Sequence, residues 1–248
     1  AVTSLPELIT SLTSVLVIKD PGLAFGNVYG SNMFNMLIFA VIDIIFIKHF
    51  LLNRVKALQK SNYFVLALYV VSLLPIGLTA LGLTTFEDFI PIRIGFYSVS
   101  LISLLIIFIY GISVKALRKD SVSEKSAEEL LEIKTEENKR KVKTALLRFG
   151  LFAVVLIVSS IFLTQITSQL VDQLGISSSF GGAIFLGLAT SLPEVTALVQ
   201  LMRLRNYNAA AGNIIGSNMF NFTIIAVADI VAVNQNIYEV MMDDRTLL

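Results

Sequence analysis

Gly212-Asn213-Ile214-Ile215-Gly216-Ser217-Asn218-Met219-Phe220-Asn221 repeats, 186 residues on, the phrase Gly26-Asn27-Val28-Tyr29-Gly30-Ser31-Asn32-Met33-Phe34-Asn35. A second pair flanks it: Thr190-Ser191-Leu192-Pro193-Glu194 repeats Thr3-Ser4-Leu5-Pro6-Glu7 at an offset of 187. Residues 26–44 agree with 212–230 at 13 of 19 positions, so the chain carries an internal duplication. Each phrase lies within an apolar run long enough to cross a bilayer. A carboxylate near the bilayer centre costs about 2.5–3.5 kcal/mol even on the lenient insertion scale. Two of them at matching places in a duplicated chain point to function.

The composition agrees. The chain has 248 residues, 55% of them hydrophobic and 15% charged, against about 25% charged in ordinary soluble domains; its mean hydropathy is +0.79. These values describe a polytopic membrane protein. Cysteine is absent, which removes disulfides, thiolate nucleophiles and Cys-ligated metals. The single histidine, His49, sits beside Lys48 at the end of an apolar run and cannot build a His-based metal site. No signal peptide is visible.

Taken in order, residues 1–18 read as the second half of a helix ended by Lys19-Asp20-Pro21-Gly22. Spans are predicted at 24–47, 62–84, 91–114, 146–170, 177–202 and 207–232, six in all besides that half helix. Residues 115–145 carry seven acidic and nine basic side chains and only a weak apolar stripe at Ala127, Leu130, Leu131, Ile133 and Val142. They read as a solvated helical linker, with no calcium-loop pattern. The expected organisation is a first transmembrane repeat at 1–114, a charged linker at 115–145 and a second repeat at 146–248. Both repeats look truncated. By symmetry roughly 45 residues should precede Ala1, and the chain after Asn221 is shorter than the chain after Asn35, so the sequence reads as a fragment.

Lys and Arg set the orientation. With the linker in the cytoplasm, sixteen of the nineteen basic residues fall on that side, leaving Lys19, Arg93 and Arg245 outside. The hairpin between the two phrases then points outward in the first copy and inward in the second. The expected fold is therefore an all-α, polytopic transmembrane helix bundle with two inverted-topology repeats, an arrangement suited to alternating access. The expected location is the plasma membrane.

The phrases concentrate oxygen. Pro193 and Pro6 lack an N–H and break the helix that precedes them, which lipid tolerates where the freed backbone lines a polar cavity. Thr190, Ser191 and Glu194, with Thr3, Ser4 and Glu7, add hydroxyls and carboxylates, the hard ligands that Na⁺ and Ca²⁺ prefer. Ser217 and Asn221, like Ser31 and Asn35, put a hydroxyl and an amide four apart on one stripe. Gly26 with Gly30, and Gly212 with Gly216, predict close helix approach. Each piece alone has a bland reading: a packing stripe, a kink, a snorkelling acid. Their conjunction, duplicated, does not.

Here the phrases resemble the two repeats of the calcium/cation antiporter superfamily, the sodium/calcium exchangers and their prokaryotic relatives. The resemblance covers 1–46 and 187–232 by motif and the rest by span pattern. It implies ten helices in two inverted halves, with ion sites at mid-membrane. It implies Glu7 and Glu194 as the central carboxylates and Thr3, Ser4, Ser31, Asn35, Thr190, Ser191, Ser217 and Asn221 as supporting ligands. Many members carry Asp at the place of Asn221; both copies here carry Asn, leaving two fixed charges. Asp43 and Asp229 match across the copies but lie two turns, about 12 Å, beyond Asn35 and Asn221. They read either as boundary carboxylates or as groups on an ion path.

The function expected is secondary antiport of Ca²⁺ against Na⁺, with Ca²⁺/H⁺ or Na⁺/H⁺ exchange as the alternative, because two glutamates that balance one Ca²⁺ could equally carry protons. A channel is the weaker rival. An intramembrane enzyme using Ser4 or Ser191 lacks a base, since no His or Lys lies within the spans. No cofactor, nucleic acid or obligate protein partner is expected; the partners are the bilayer and the transported ions.

Overall fold

The computed structural model describes residues 3–46, 56–83, 92–94, 97–122, 136–232 and 237–240. The connector around His49, most of the 85–93 loop, the centre of the charged linker and the tail beyond Val240 lie outside the described residues.

Helix α1 (Leu5–Ile18) opens on Leu5-Pro6 and closes with a π-helical turn, Ser14–Ile18. Lys19 stops it in the left-handed region (φ 61°), where the Asp20 N–H reaches Ser14 O at 2.9 Å. Pro21 then starts α2 (Pro21–Phe46), the first helical position being the one where a missing N–H costs nothing. Helix α3 (Lys56–Ala80) follows. Strands β1 (Ile92–Ile94) and β2 (Tyr97–Val99) pair antiparallel, Ile92 opposite Val99, ahead of α4 (Leu101–Val122). Helix α5 (Glu136–Leu174) is the longest, and α6 (Ser178–Thr190) begins at the cap Ser177, whose side chain accepts the Phe180 N–H. Helices α7 (Leu192–Arg203), α8 (Tyr207–Val231) and the short α9 (Ile237–Val240) complete the order.

Among the described residues four helices are long and apolar enough to cross a membrane, and a fifth span results if α6 and α7, bent by 41° at Ser191, count as one. The fold is all-α and membrane-spanning, and the bend falls where Pro193 required a break. One expected span is corrected. Residues 91–114 do not form a single crossing: Ile92, Ile94 and Val99, β-branched residues that favour strand, form the hairpin, and the apolar part of α4 is only Leu101–Ala116.

Helices α2 and α8 make the centre. Two-thirds of the α8 span (67%) is buried, against 17% for α5, whose Leu151, Phe152, Val155, Phe162 and Ile166 face outward as lipid-facing side chains do. The core joins Phe25, Val28, Ile214, Met219, Phe222 and Ile225, with Tyr69 set edge-on to Phe222 at 4.8 Å between ring centroids. Helix α1 packs on α5, α2 and α8, α7 packs on α8, and α6 lies along α2.

The small residues act unequally. A methyl group on Gly30 would run into the Ala183 backbone, and one on Gly187 would stand 2.8 Å from the Ser31 nitrogen. Close approach therefore holds between α2 and α6. Gly212 and Gly216 do not share it: a Cβ on either meets nothing within 4 Å among the described residues. The same spacing occurs twice, but α6 packs on α2, and none of the described elements lies over the α8 glycines.

Replacing Gly187 or Gly30 by Ala should destabilise the protein by about 1–3 kcal/mol, as overpacking does. Gly111→Ala, at a position with nothing within 4 Å, should be neutral or stabilising by up to about 1 kcal/mol, since Ala is the better helix former. Thermal midpoints of the purified protein in detergent measure the difference.

Candidate functional site

Both glutamates are fully buried, Glu7 in the first turn of α1 and Glu194 in the first turn of α7. Each follows its proline by one residue, so each carboxylate sits in the first turn of the helix that the proline starts. Ser4, three residues ahead of Glu7, donates to Glu194, which sets the starts of α1 and α7 side by side. Glu194 Oε1 accepts from Ser4 Oγ and from Ser217 Oγ, both at 3.2 Å. One carboxylate is thus held by a hydroxyl from the opposite copy and a hydroxyl from its own. Thr3 Oγ1 lies 3.3 Å from Ser217 Oγ, and Ser31 Oγ lies 3.1 Å from Thr190 Oγ1.

The amides of α2 and α8 are interlocked. Asn35 Nδ2 donates to Asn218 Oδ1 at 2.9 Å, and Asn221 Nδ2 donates to Asn32 Oδ1 at 2.9 Å. Under the shift of 186 residues each of these bonds becomes the other. The Thr3–Ser217 and Thr190–Ser31 contacts are exchanged in the same way. Of the ten residues expected from the sequence, eight carry side-chain hydrogen bonds in three groups: Thr3, Ser4, Glu194 and Ser217; Ser31 and Thr190; and Asn35 and Asn221, with Asn32 and Asn218; Glu7 and Ser191 are buried, with side-chain oxygens that have no partner among the described residues.

What remains unbonded is mostly acceptor. Glu7 Oε1 and Oε2, Glu194 Oε2, Asn35 Oδ1, Asn221 Oδ1 and Ser191 Oγ are buried without a hydrogen-bond partner among the described residues. Ser191 apart, none of them has a proton to give while the acids are ionised. Buried polar atoms are normally paired, and a shared deficit of donors is the signature of a place for a cation. Among the described residues no group of three or more His, Cys, Asp or Glu occurs. The charge available is that of two carboxylates, and every other oxygen is neutral.

Sequence reasoning passed over three amides. Asn27 reaches across α1, its Nδ2 lying 2.8 Å from Thr10 Oγ1, 2.9 Å from Ser11 Oγ and 3.1 Å from Glu7 O, while its Oδ1 faces Thr190 Oγ1 at 3.0 Å. Its counterpart Asn213 has no such partners, because Ala197 and Leu198 stand where the first copy has Thr10 and Ser11, and its Nδ2 is unpaired. Asn32 and Asn218 were the other two. Their signal was present in the sequence, since all three belong to the repeated phrase, but asparagine beside glycine in an apolar run reads first as packing.

Asp229, 1% exposed, takes a different part. Its Oδ2 accepts from the Ser100 N–H at 3.0 Å and from Ser103 Oγ at 2.7 Å, and Ser103 lies 3.2 Å from the Tyr238 hydroxyl. The carboxylate ties the end of α8 to the start of α4 and to α9. Asp43 is also buried.

The known proteins this chain resembles can now be set beside the geometry. The sequence profile described as "Sodium/calcium exchanger protein" matches residues 1–114 and 144–245. The chain belongs to the sodium/calcium exchanger family. It is also 26% identical, over 223 residues, to "Inner membrane protein YrbG" of Escherichia coli (strain K12). The match takes in 90% of this chain but 64% of that protein, so the chain spans less than two-thirds of that relative's length. No solved structure matches. The exchanger family is one of membrane transporters, and membership removes the serine-enzyme reading of Ser4 and Ser191.

Ser103→Ala should cost about 1–3 kcal/mol, because it leaves a buried carboxylate short of its nearest donor. The thermal midpoint in detergent should fall accordingly, and Asp229→Asn, which keeps an accepting oxygen, should fall less.

Proposed function

We propose that this chain forms the ion-carrying core of a secondary cation antiporter that exchanges Ca²⁺ for Na⁺ across the plasma membrane by alternating access. The observation that carries the reading is the set of buried acceptors left without donors, contributed by α1, α2, α7 and α8 together. Oxygen ligands of this kind suit hard cations, and Ca²⁺ accepts six to eight of them in flexible geometry. Glu7 and Glu194 supply the charge. Asn35, Asn221 and Ser191 supply neutral oxygens, and Thr3, Ser4, Ser31, Thr190 and Ser217 complete and orient the set.

The exchanged pairs of hydrogen bonds support reading the chain as two repeats, 1–114 and 146–248, related by a two-fold axis in the membrane plane and joined by a cytoplasmic linker at 115–145. In that arrangement the bend at Pro193 and the break at Pro6 open toward opposite faces. The site lies between them, where access from either side requires only one half to move against the other.

Purified full-length protein in vesicles should take up ⁴⁵Ca²⁺ when an outward Na⁺ gradient is imposed. Uptake driven by a pH gradient instead would make the protein a cation/proton exchanger using the same carboxylates. Uncoupled flux would make it a channel. Glu194→Gln and Glu7→Gln should each reduce Ca²⁺ uptake by at least about a hundredfold, since losing one partner of a buried charge pair costs about 3–5 kcal/mol. Near-normal flux in either variant would remove the cation site from this place.

A further inference from the structure

We propose that Asn32 and Asn218 are positioning residues that turn the carbonyl oxygens of Asn221 and Asn35 toward the bound cation. The inference rests on the cation-site reading and adds to it a reason why neutral amides serve there.

A carboxamide is nearly symmetric in shape, with an accepting oxygen on one arm and two N–H donors on the other. Nothing about its size decides which arm faces a cation, and the wrong choice puts a donor against it. A neighbour must decide. Opposite Asn221 Nδ2 stands Asn32 Oδ1 at 2.9 Å, an atom that can only accept. The amide arm of Asn221 is therefore taken, and its Oδ1 is left facing away, buried and unpartnered. Asn218 Oδ1 does the same for Asn35 at 2.9 Å, and Asn35 Oδ1 is left in the same condition. All four side chains have 0% exposure, so water cannot substitute for either neighbour. The arrangement occurs twice, from residues that exchange places under the 186-residue shift.

The two positioning residues are not equally fixed. Asn32 is held by its own second arm, whose Nδ2 reaches the Asn218 backbone carbonyl at 3.4 Å. Turning Asn32 over would give up that contact. Asn218 Nδ2 has no partner, so Asn218 and Asn35 can turn together without losing a bond. The Asn32–Asn221 pair is the stricter of the two.

The pairing also bears on charge. An Asp at position 221 would bring an oxygen against Asn32 Oδ1, acceptor against acceptor, unless Asn32 turned. Asn32 thereby disfavours a third carboxylate and keeps the site at two. A carboxylate, in turn, has two equivalent oxygens and no orientation to lose.

That equivalence supplies the test. CaCl₂ and NaCl are titrated into the purified full-length protein in detergent, and the concentration giving half-maximal thermal stabilisation is read for each cation. Asn32→Ala should raise it about tenfold, the loss of one buried hydrogen bond that orients a ligand. Introduced into Asn221→Asp, the same Asn32→Ala change should raise it less than about twofold, since no orientation remains to be lost. An equal factor in both backgrounds would make Asn32 a packing residue and overturn the proposal. If Asn32→Ala does not fold, Asn32→Leu, which keeps the volume and removes the accepting oxygen, makes the same cycle in the same two backgrounds, with the same two outcomes. A parent that neither cation stabilises would defeat the cation site itself. A stabilised parent with an unaffected Asn32→Ala would defeat only the positioning role.

Discussion

Two crossed helices, α2 and α8, must satisfy their buried amides against one another, and the rest of the molecule accommodates that requirement. Asn32, Asn35, Asn218 and Asn221 all lie at 0% exposure in helices that span the membrane. No water reaches them from the lipid side, and an unpaired amide there costs several kcal/mol. The two reciprocal bonds meet most of that need only if the helices cross at one register. Shifting either helix by a residue would rotate its amides about 100° away, since an α-helix has 3.6 residues per turn. The crossing is thus specified by polar pairing. The apolar residues around it, Val28, Ile214, Met219 and Phe222, fill space that the pairing has already defined.

The duplicated phrases do not produce equal halves, and the difference traces to residues just outside the identical stretch. In the first copy Thr10 and Ser11 follow Glu7, so Asn27 is clasped to the backbone of α1 and through Thr190 to the other copy. In the second copy Ala197 and Leu198 follow Glu194, and Asn213 is left without those partners. The carboxylates differ in the opposite sense. Glu194 holds two hydroxyl donors, whereas neither oxygen of Glu7 has one among the described residues. One half is fixed through its backbone and has a free acid; the other has a held acid and a looser backbone. On the proposed reading, two inverted halves that alternate would differ in this way, because at any moment they face different sides.

Much of this was legible in the sequence because membrane chemistry leaves few alternatives. A proline and a carboxylate inside an apolar run, present twice, had to be a helix break lined with oxygen, and the bend at Ser191 and the buried Glu7 and Glu194 follow that logic. Ser31 and Ser217 could be named from spacing, since residues four apart share a helix face with Asn35 and Asn221, whereas Ser4 and Thr190 were placed as supporting ligands by the family resemblance. Three things could not be read. The pairing partner of each amide depends on how α2 and α8 cross, which no local pattern encodes, so Asn32 and Asn218 were passed over. The glycine spacing was the same in both copies, yet only Gly26 and Gly30 meet a neighbouring backbone, because packing belongs to a pair of helices. The run from 91 to 114 carried enough hydrophobicity for a span, but Ile92, Ile94 and Val99 paired as strands, and hydropathy does not distinguish the two.

The charge of the site explains why it would exchange ions and not leak them. On the proposed reading two carboxylates stand close together among neutral oxygens that cannot neutralise them. Empty and ionised, that centre carries two like charges in a medium where charge is expensive, and burial without a counter-ion costs several kcal/mol per ion even after relaxation. Reorientation of the empty centre through the membrane would demand that cost in full. One Ca²⁺ removes it, and so do monovalent cations or protons in sufficient number. The same energetic term that makes Glu7 and Glu194 improbable residues in a membrane therefore enforces coupling: the centre moves when it is loaded, and it is reloaded on the far side before it returns. A third carboxylate at position 221 would deepen the deficit and require more counter-charge on each leg. The amide there, turned by Asn32 to present oxygen without charge, contributes a ligand while leaving the centre balanced by a single divalent ion.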